Sequence, residues 1–231
     1  MPDFPARQSS IWIIKPLHMN KILVLILLVG CAGCSSSSIT IVDKKPPTLP
    51  YSKVLVVYVE EGCDFALFDS LTYNICLRSC FLNADNFNMR TQVEDMLSKE
   101  LTTATAIIRS TDILDAYNNS YDYFRRTIDS LHIDALLLVD FRHNTKTKHQ
   151  TPSVAHSVGS TGTTYAGGGL SYNTLNAEYA CYLIKTSNIN FPIWTAALGT
   201  KGHIGAAQQQ LNMNMARTLA KELKKEGYWM H

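Results

Sequence analysis

A mixed α/β fold, about five strands with helices packed on the sheet in the order βαβαβ-ββ-α, is predicted by three features of this sequence. Short, continuously apolar runs rich in β-branched residues mark strands buried on both faces. Apolar stripes at helical spacing lie between them. Near the carboxyl end two β-like segments stand close together before a last amphipathic stretch. At 231 residues and 46% hydrophobic content the chain can bury a core, and one domain plus tails fills that length.

The elements follow in order. Val54-Leu55-Val56-Val57-Tyr58-Val59 is the first strand. Residues 61–87 show no clear period and read as an insertion. From Thr91 the positions Val93, Met96, Leu97 and Leu101 draw one helical stripe. Ala106-Ile107-Ile108 is a second strand, Asp112 suits the cap of a short helical piece, and Ser120 caps a helix whose face is Phe124, Ile128 and Leu131. Ala135-Leu136-Leu137-Leu138-Val139, again wholly apolar, is expected in the middle of the sheet. Residues 144–173, rich in Gly, Ser, Thr and His, are expected to form a mobile loop, because few of their side chains can offset the entropy of ordering. Ala177–Ile184 and Phe191–Leu198 then form a hairpin. Leu211, Met215, Leu219 and Leu223, flanked by Ala216 and Ala220, draw the clearest stripe in the chain, on a helix ending near Gly227.

The amino-terminal end carries an address. Residues 22–30 form an apolar run after Lys21, too short at 1.5 Å per residue to cross a hydrocarbon core that needs roughly twenty residues. Leu28-Val29-Gly30-Cys31 resembles the lipobox of bacterial lipoproteins, with a branched residue, a small residue, and then the cysteine that receives the lipid. That resemblance implies a signal peptide over residues 1–30, with a true start at Met19, and acylation at Cys31, the protein's contact with the lipid bilayer. Residues 31–52, with Ser35 to Ser38, Lys44-Lys45-Pro46-Pro47 and Pro50, read as a flexible tether. Ala32 after the lipid cysteine implies, by the same resemblance, the outer membrane, and the absence of an acidic cluster beside Cys31 points to its periplasmic side rather than to surface export. Residues 1–30 hold Arg7, Lys15, Lys21 and Asp3; without them the 21 basic and 19 acidic side chains become 18 of each. A neutral mature chain gives no basic field for nucleic acid.

The succession over residues 53–228, a single periplasmic α/β domain, is similar to the domain shared by the TolB amino-terminal part, the curli-secretion lipoprotein and the penicillin-binding-protein activator lipoproteins. The residues that carry this are Leu131-His132-Ile133-Asp134-Ala135-Leu136-Leu137 before the third strand and Phe191-Pro192-Ile193-Trp194 at the end of the hairpin. The chain departs from that pattern in Ser187-Asn188-Ile189-Asn190, where a hairpin glycine is expected, and in the longer insertion.

Chemistry is sparse. Cys63, Cys76 and Cys80 suggest a disulfide in an oxidising compartment, Cys63 closing onto Cys76 or Cys80 to staple the insertion. Cys181 sits mid-strand as a small buried hydrophobe. His143, His149 and His156 match no metal-ligand spacing. Gly159-Ser160-Thr161-Gly162-Thr163-Thr164 lacks the lysine and the strand-to-helix setting of a phosphate loop. Glu60, Glu61 and Asp64 stand near the end of the first strand, where open α/β sheets bind ligands, but charged loop residues are usually only solvated. No catalytic residues, cofactor or metal site are therefore expected. The function expected first is a lipid-anchored, non-catalytic module that docks envelope proteins or assembles with copies of itself. An oligomeric export or pore subunit resembling the curli-secretion lipoprotein comes second, and an unrecognised envelope hydrolase third.

Overall fold

A computed structural model describes residues 36–47, 50–60, 62–83, 86–102, 105–150, 155–158, 163–166, 171–202 and 206–229. Cys31 and the expected signal peptide lie outside the described residues. Six strands form one mixed sheet: β1 (Ser36–Lys44), β2 (Lys53–Val59), β3 (Ala106–Arg109), β4 (Ala135–Gln150), β7 (Ser171–Lys185) and β8 (Pro192–Lys201), in the order β1-β8-β7-β4-β2-β3. Strand β2 runs parallel to β3 and β4, and the other pairs are antiparallel. Strands β5 (Ala155–Val158) and β6 (Thr163–Ala166) pair as a separate two-stranded sheet. The fold class is thus the mixed α/β arrangement read from the sequence, with β4 interior to the sheet.

Two helices cover one face. Helix α3 (Phe87–Leu101) buries Val93, Leu97 and Leu101, and helix α6 (Gln208–Lys225) buries Leu211, Met215, Leu219 and Leu223; both pack on Val54, Val56, Leu137, Val139, Tyr179, Cys181, Trp194 and Leu198. The alternation of β2 explains this division, since Val54, Val56 and Tyr58 point to these helices and Leu55, Val57 and Val59 to the opposite side. Burying any one such side chain is worth about 1.5–3 kcal/mol. Gly227 ends α6 in the left-handed region, φ 80°, and its N–H bonds Lys224 O at 3.0 Å, a geometry that glycine adopts without steric cost.

The opposite face is built by the segment that lacked a sequence period. Residues Ser70–Thr72 (α1), a π-type turn at Tyr73–Leu77 and Arg78–Leu82 (α2) bury Tyr73, Cys76, Leu77, Cys80 and Phe81. They pack with Phe65, Phe68 and helix α5 (Tyr121–Leu131) on Leu55, Val57, Leu136, Leu138 and Ile184. Tyr73 and Phe124 ring centroids are 4.8 Å apart, and the Arg90 guanidinium of α3 lies 4.6 Å from the Phe81 ring. The π-type turn breaks the 3.6-residue spacing, which is why the stripe was not legible. Ser120 accepts from Tyr123 N–H as the cap of α5; Asp112 lies inside the short helix α4 (Ser110–Ile113) instead of capping it.

Two sequence expectations are corrected here. Residues 36–44 are not a free tether: β1 is an edge strand on β8, with Ile39 opposite Leu198 and Ile41 opposite Ala196, both packed on the core. An edge strand has one buried face, and two isoleucines at period 2 suffice to dock it. Nor are residues 144–173 wholly a loop. Strand β4 continues through Gln150 and β7 begins at Ser171, so Asn144–Gln150 and Ser171–Asn173 are paired backbone. Once the apolar inner halves of β4 and β7 are in register, each further pair adds ladder bonds without a new loop closure, and polar β-branched residues such as Thr145 and Thr147 suit it.

Candidate functional site

The feature that stands apart from the packed layers is the β4–β7 ribbon. Strand β2 ends opposite Asp140, and β8 ends with Lys201 opposite Asn176. Beyond them the five pairs from Lys146↔Leu175 to Gln150↔Ser171 have no third strand on either side among the described residues. That two-stranded portion spans roughly 17 Å at about 3.4 Å per residue. One of its faces is knitted by polar and aromatic contacts: Asn176 Nδ2 donates to Thr147 Oγ1 at 3.1 Å, His149 Nε2 lies 3.1 Å from Thr174 Oγ1, and the His149 ring stacks on Tyr172 at 4.9 Å. The other face presents Lys146 and Lys148, both exposed, opposite Leu175 and Asn173.

The ribbon's root is a clamp built around a bulge. The β4–β7 register shifts between Phe141 and His143, which leaves Arg142 as the extra residue and re-aims its side chain. Arg142 Nε stands 3.0 Å from Oδ2 of the fully buried Asp140; its two terminal nitrogens donate to Gly62 O and to Tyr182 Oη, each at 2.8 Å. Gly62 N–H donates to Asp140 Oδ1 at 3.1 Å, with φ 64° at that glycine, so one turn both gives to and receives from the clamp. Burial pushes the Tyr182 hydroxyl above its ordinary range, opposed by the charge of Arg142. The same loop is held by a disulfide between Cys63 and Cys76, Cα atoms 6.0 Å apart. Cys80, the alternative partner, is a buried thiol that takes no part in that disulfide.

The remaining sequence candidates are dispersed. Glu60 Oε1 accepts from Tyr58 Oη at 3.1 Å, Asp64 Oδ1 accepts from Ala66 N–H at 3.0 Å, and Glu61 lies outside the described residues. The buried Cys181 thiol is pushed up to about 12 by desolvation, so it is un-ionised at neutral pH. His143 faces Glu178 across the ribbon root at 3.6 Å, whereas His149 is stacked further along the ribbon. Among the described residues no three metal-ligating side chains converge, and no helix is long and apolar enough to cross a membrane.

Two surfaces went unnoticed in the sequence. An open depression of about 800 Å³ lies between α4 and α5, lined by Asp112, Asp115, Tyr123, Arg126, Thr127 and Ser130. Its carboxylates are engaged locally: Asp112 pairs with Arg109 at 2.6 Å, and Asp115 accepts the N–H groups of Tyr117 and Asn118, each at 2.7 Å. On the outside of the insertion Leu67, Leu71, Ile75 and Leu82 are exposed, and Phe191 stands beside them through the Phe68 N–H bond to Asn190 O. That segment shows no clear period in the sequence, so nothing told which of its side chains face outward.

These elements define a class of architecture: a three-layer α/β domain from which one hairpin projects as a ribbon. No family model matches the chain, and no curated protein matches it. Two solved structures of the PelC dodecamer from Paraburkholderia phytofirmans are similar in outline, at 10% and 8% identity. The matches cover 84% and 85% of this chain and 100% of those chains, each with a TM-score of 0.43. A PDZ domain protein from Parabacteroides distasonis ATCC 8503 matches at 7% identity and a TM-score of 0.28, over 91% of this chain and 41% of that one. Likenesses this loose carry no argument about this chain.

Proposed function

We propose that this chain is a lipid-anchored, non-catalytic assembly subunit of the bacterial envelope, working in copies on the periplasmic side of the outer membrane as part of an export assembly. The single observation that carries this reading is the ribbon. A two-stranded ribbon in water is marginal by itself, and its two edges offer unpaired N–H and C=O groups to an incoming strand. Seated on a rigid sheet and clamped by Arg142, it is suited to lie against a neighbouring subunit. The lipobox-like Leu28-Val29-Gly30-Cys31 supports the anchoring. A membrane-spanning pore strand would need an apolar side chain at alternate positions. Asn144, Thr145, Lys146, Thr147 and Lys148 are polar on both faces, so the ribbon is read as an assembly element outside the hydrocarbon.

The test is particle size. Full-length protein extracted in detergent should give oligomers by mass photometry and closed particles by electron microscopy. A variant joining Thr147 to Thr174 through a short Gly/Ser turn keeps Leu175 packed on the core and should remain folded, within about 1 kcal/mol, because no described residue it removes belongs to either core, but it should be monomeric. A monomeric parent protein, or oligomers unchanged by the excision, would remove the ribbon from the assembly.

A further inference from the structure

We propose that the Lys146–Lys148 face of the ribbon docks on the anionic phosphate headgroups of the leaflet that holds the protein's own lipid anchor. The inference rests on the anchoring reading above and adds where the ribbon works.

Three observations converge. The first is proximity. Strand β1 begins at the ribbon's end of the sheet: Ser36 pairs with Lys201, Lys201 with Asn176, and Asn176 with Thr145. Four residues separate Cys31 from Ser36, and the five Cα-to-Cα steps of a fully extended chain span at most about 18 Å. An acylated Cys31 therefore holds Ser36 within about that distance of the bilayer surface, and the ribbon root at Thr145 stands three strand spacings, about 14 Å, across the sheet from Ser36. The second is charge. Between Asp140 and Glu178 the sequence contains no Asp or Glu, while Arg142, Lys146 and Lys148 are basic. Arg142 is used at the root, so the outward charge is that of the two lysines. The third is facing. The period of 2 places Lys146 and Lys148 on the same side, opposite Leu175 and Asn173, whereas the other side is taken up by the Asn176–Thr147, His149–Thr174 and His149–Tyr172 contacts. A ribbon with one knitted face and one cationic face is matched to a flat anionic surface.

Acylated full-length protein is placed in nanodiscs of phosphatidylglycerol or of phosphatidylcholine, and the rate of amine acetylation is read at each lysine by mass spectrometry. Lys146 and Lys148 should be modified roughly tenfold more slowly in the anionic discs. Lys45 and Lys99, at the opposite end of the sheet and of α3, should be modified equally in both. Raising salt to about 0.5 M should abolish the difference. Equal rates for Lys146 and Lys148 in the two lipids overturn the proposal, as does protection in both, which a neighbouring copy of the chain would give. Failure of the protein to enter discs of either composition overturns the anchoring reading itself, and the proposal with it; entry into both with equal lysine rates overturns the headgroup contact alone.

Discussion

Replacing Glu94 by glutamine isolates the device that finishes the sheet where β3 stops. Strand β3 pairs with β2 only as far as Val56, so the Tyr58 N–H on the same edge has no strand to donate to. Glu94, fully buried on α3, reaches across: its Oε1 accepts from Tyr58 N–H at 3.1 Å and Ser110 Oγ at 2.5 Å, and its Oε2 from Thr111 N–H at 2.9 Å and Thr111 Oγ1 at 3.0 Å. In Glu94→Gln one oxygen becomes an amide nitrogen, which cannot accept, so two donors lose their partner. Each buried unsatisfied donor costs about 1–3 kcal/mol, and relief from burying a charge offsets a part, which leaves an expected loss of about 2–4 kcal/mol. At this chain length that is a fall in Tm of roughly 5–15 °C. Burial pushes the Glu94 carboxyl above its usual range, and the four donors with Arg90 pull it back only in part. A raised carboxyl favours the folded state fully below its unfolded pKa, and that contribution fades as pH rises through the folded value. The stability gap between the parent and Glu94→Gln, read by urea denaturation with the disulfide intact, should therefore be widest at acidic pH and shrink on the alkaline side. A gap under about 0.5 kcal/mol at every pH would refute the reasoning, because Tyr58 and Thr111 would then have other acceptors.

Three further outcomes are expected. Breaking the Cys63–Cys76 link by Cys76→Ser, which opens a closure of sequence separation 13, should cost about 3 kcal/mol by calorimetry, with Cys80 failing to substitute under oxidising refolding. Arg142→Gln should cost about 2 kcal/mol, since it leaves the buried Asp140 without its guanidinium, and should raise protease cleavage within the ribbon while the core peptides stay protected. Asp134 is pulled upward by burial, but the Ser52 hydroxyl and the Lys53 and Ser52 N–H groups outweigh it and hold the carboxyl below the ordinary range. Its stabilisation is present above the unfolded pKa and lost as pH falls through the lower folded value, so Asp134→Asn should lower stability at neutral pH and flatten the acid limb of the stability–pH curve.

Part of this architecture was legible in residues alone. Val54–Val59 and Ala135–Val139 are strands because short, wholly apolar runs have nowhere to go but between two layers, and the Leu211–Leu223 stripe is a helix because its apolar positions recur at helical spacing. Those are local properties, fixed by spacing. What tertiary structure decided is everything that depends on a distant partner. Ser36–Lys44 is a strand only because β8 leaves an edge for Ile39 and Ile41. The insertion becomes a layer only because Leu55, Val57, Leu136 and Leu138 need covering. Strand β4 runs on past its apolar half because β7 carries the register outward, and the bulge at Arg142 turns a charged residue inward to the buried Asp140. Composition describes what a segment can do alone; pairing and burial add free energy only once the partner is in place, so the sequence announced the core while the ribbon waited for the sheet.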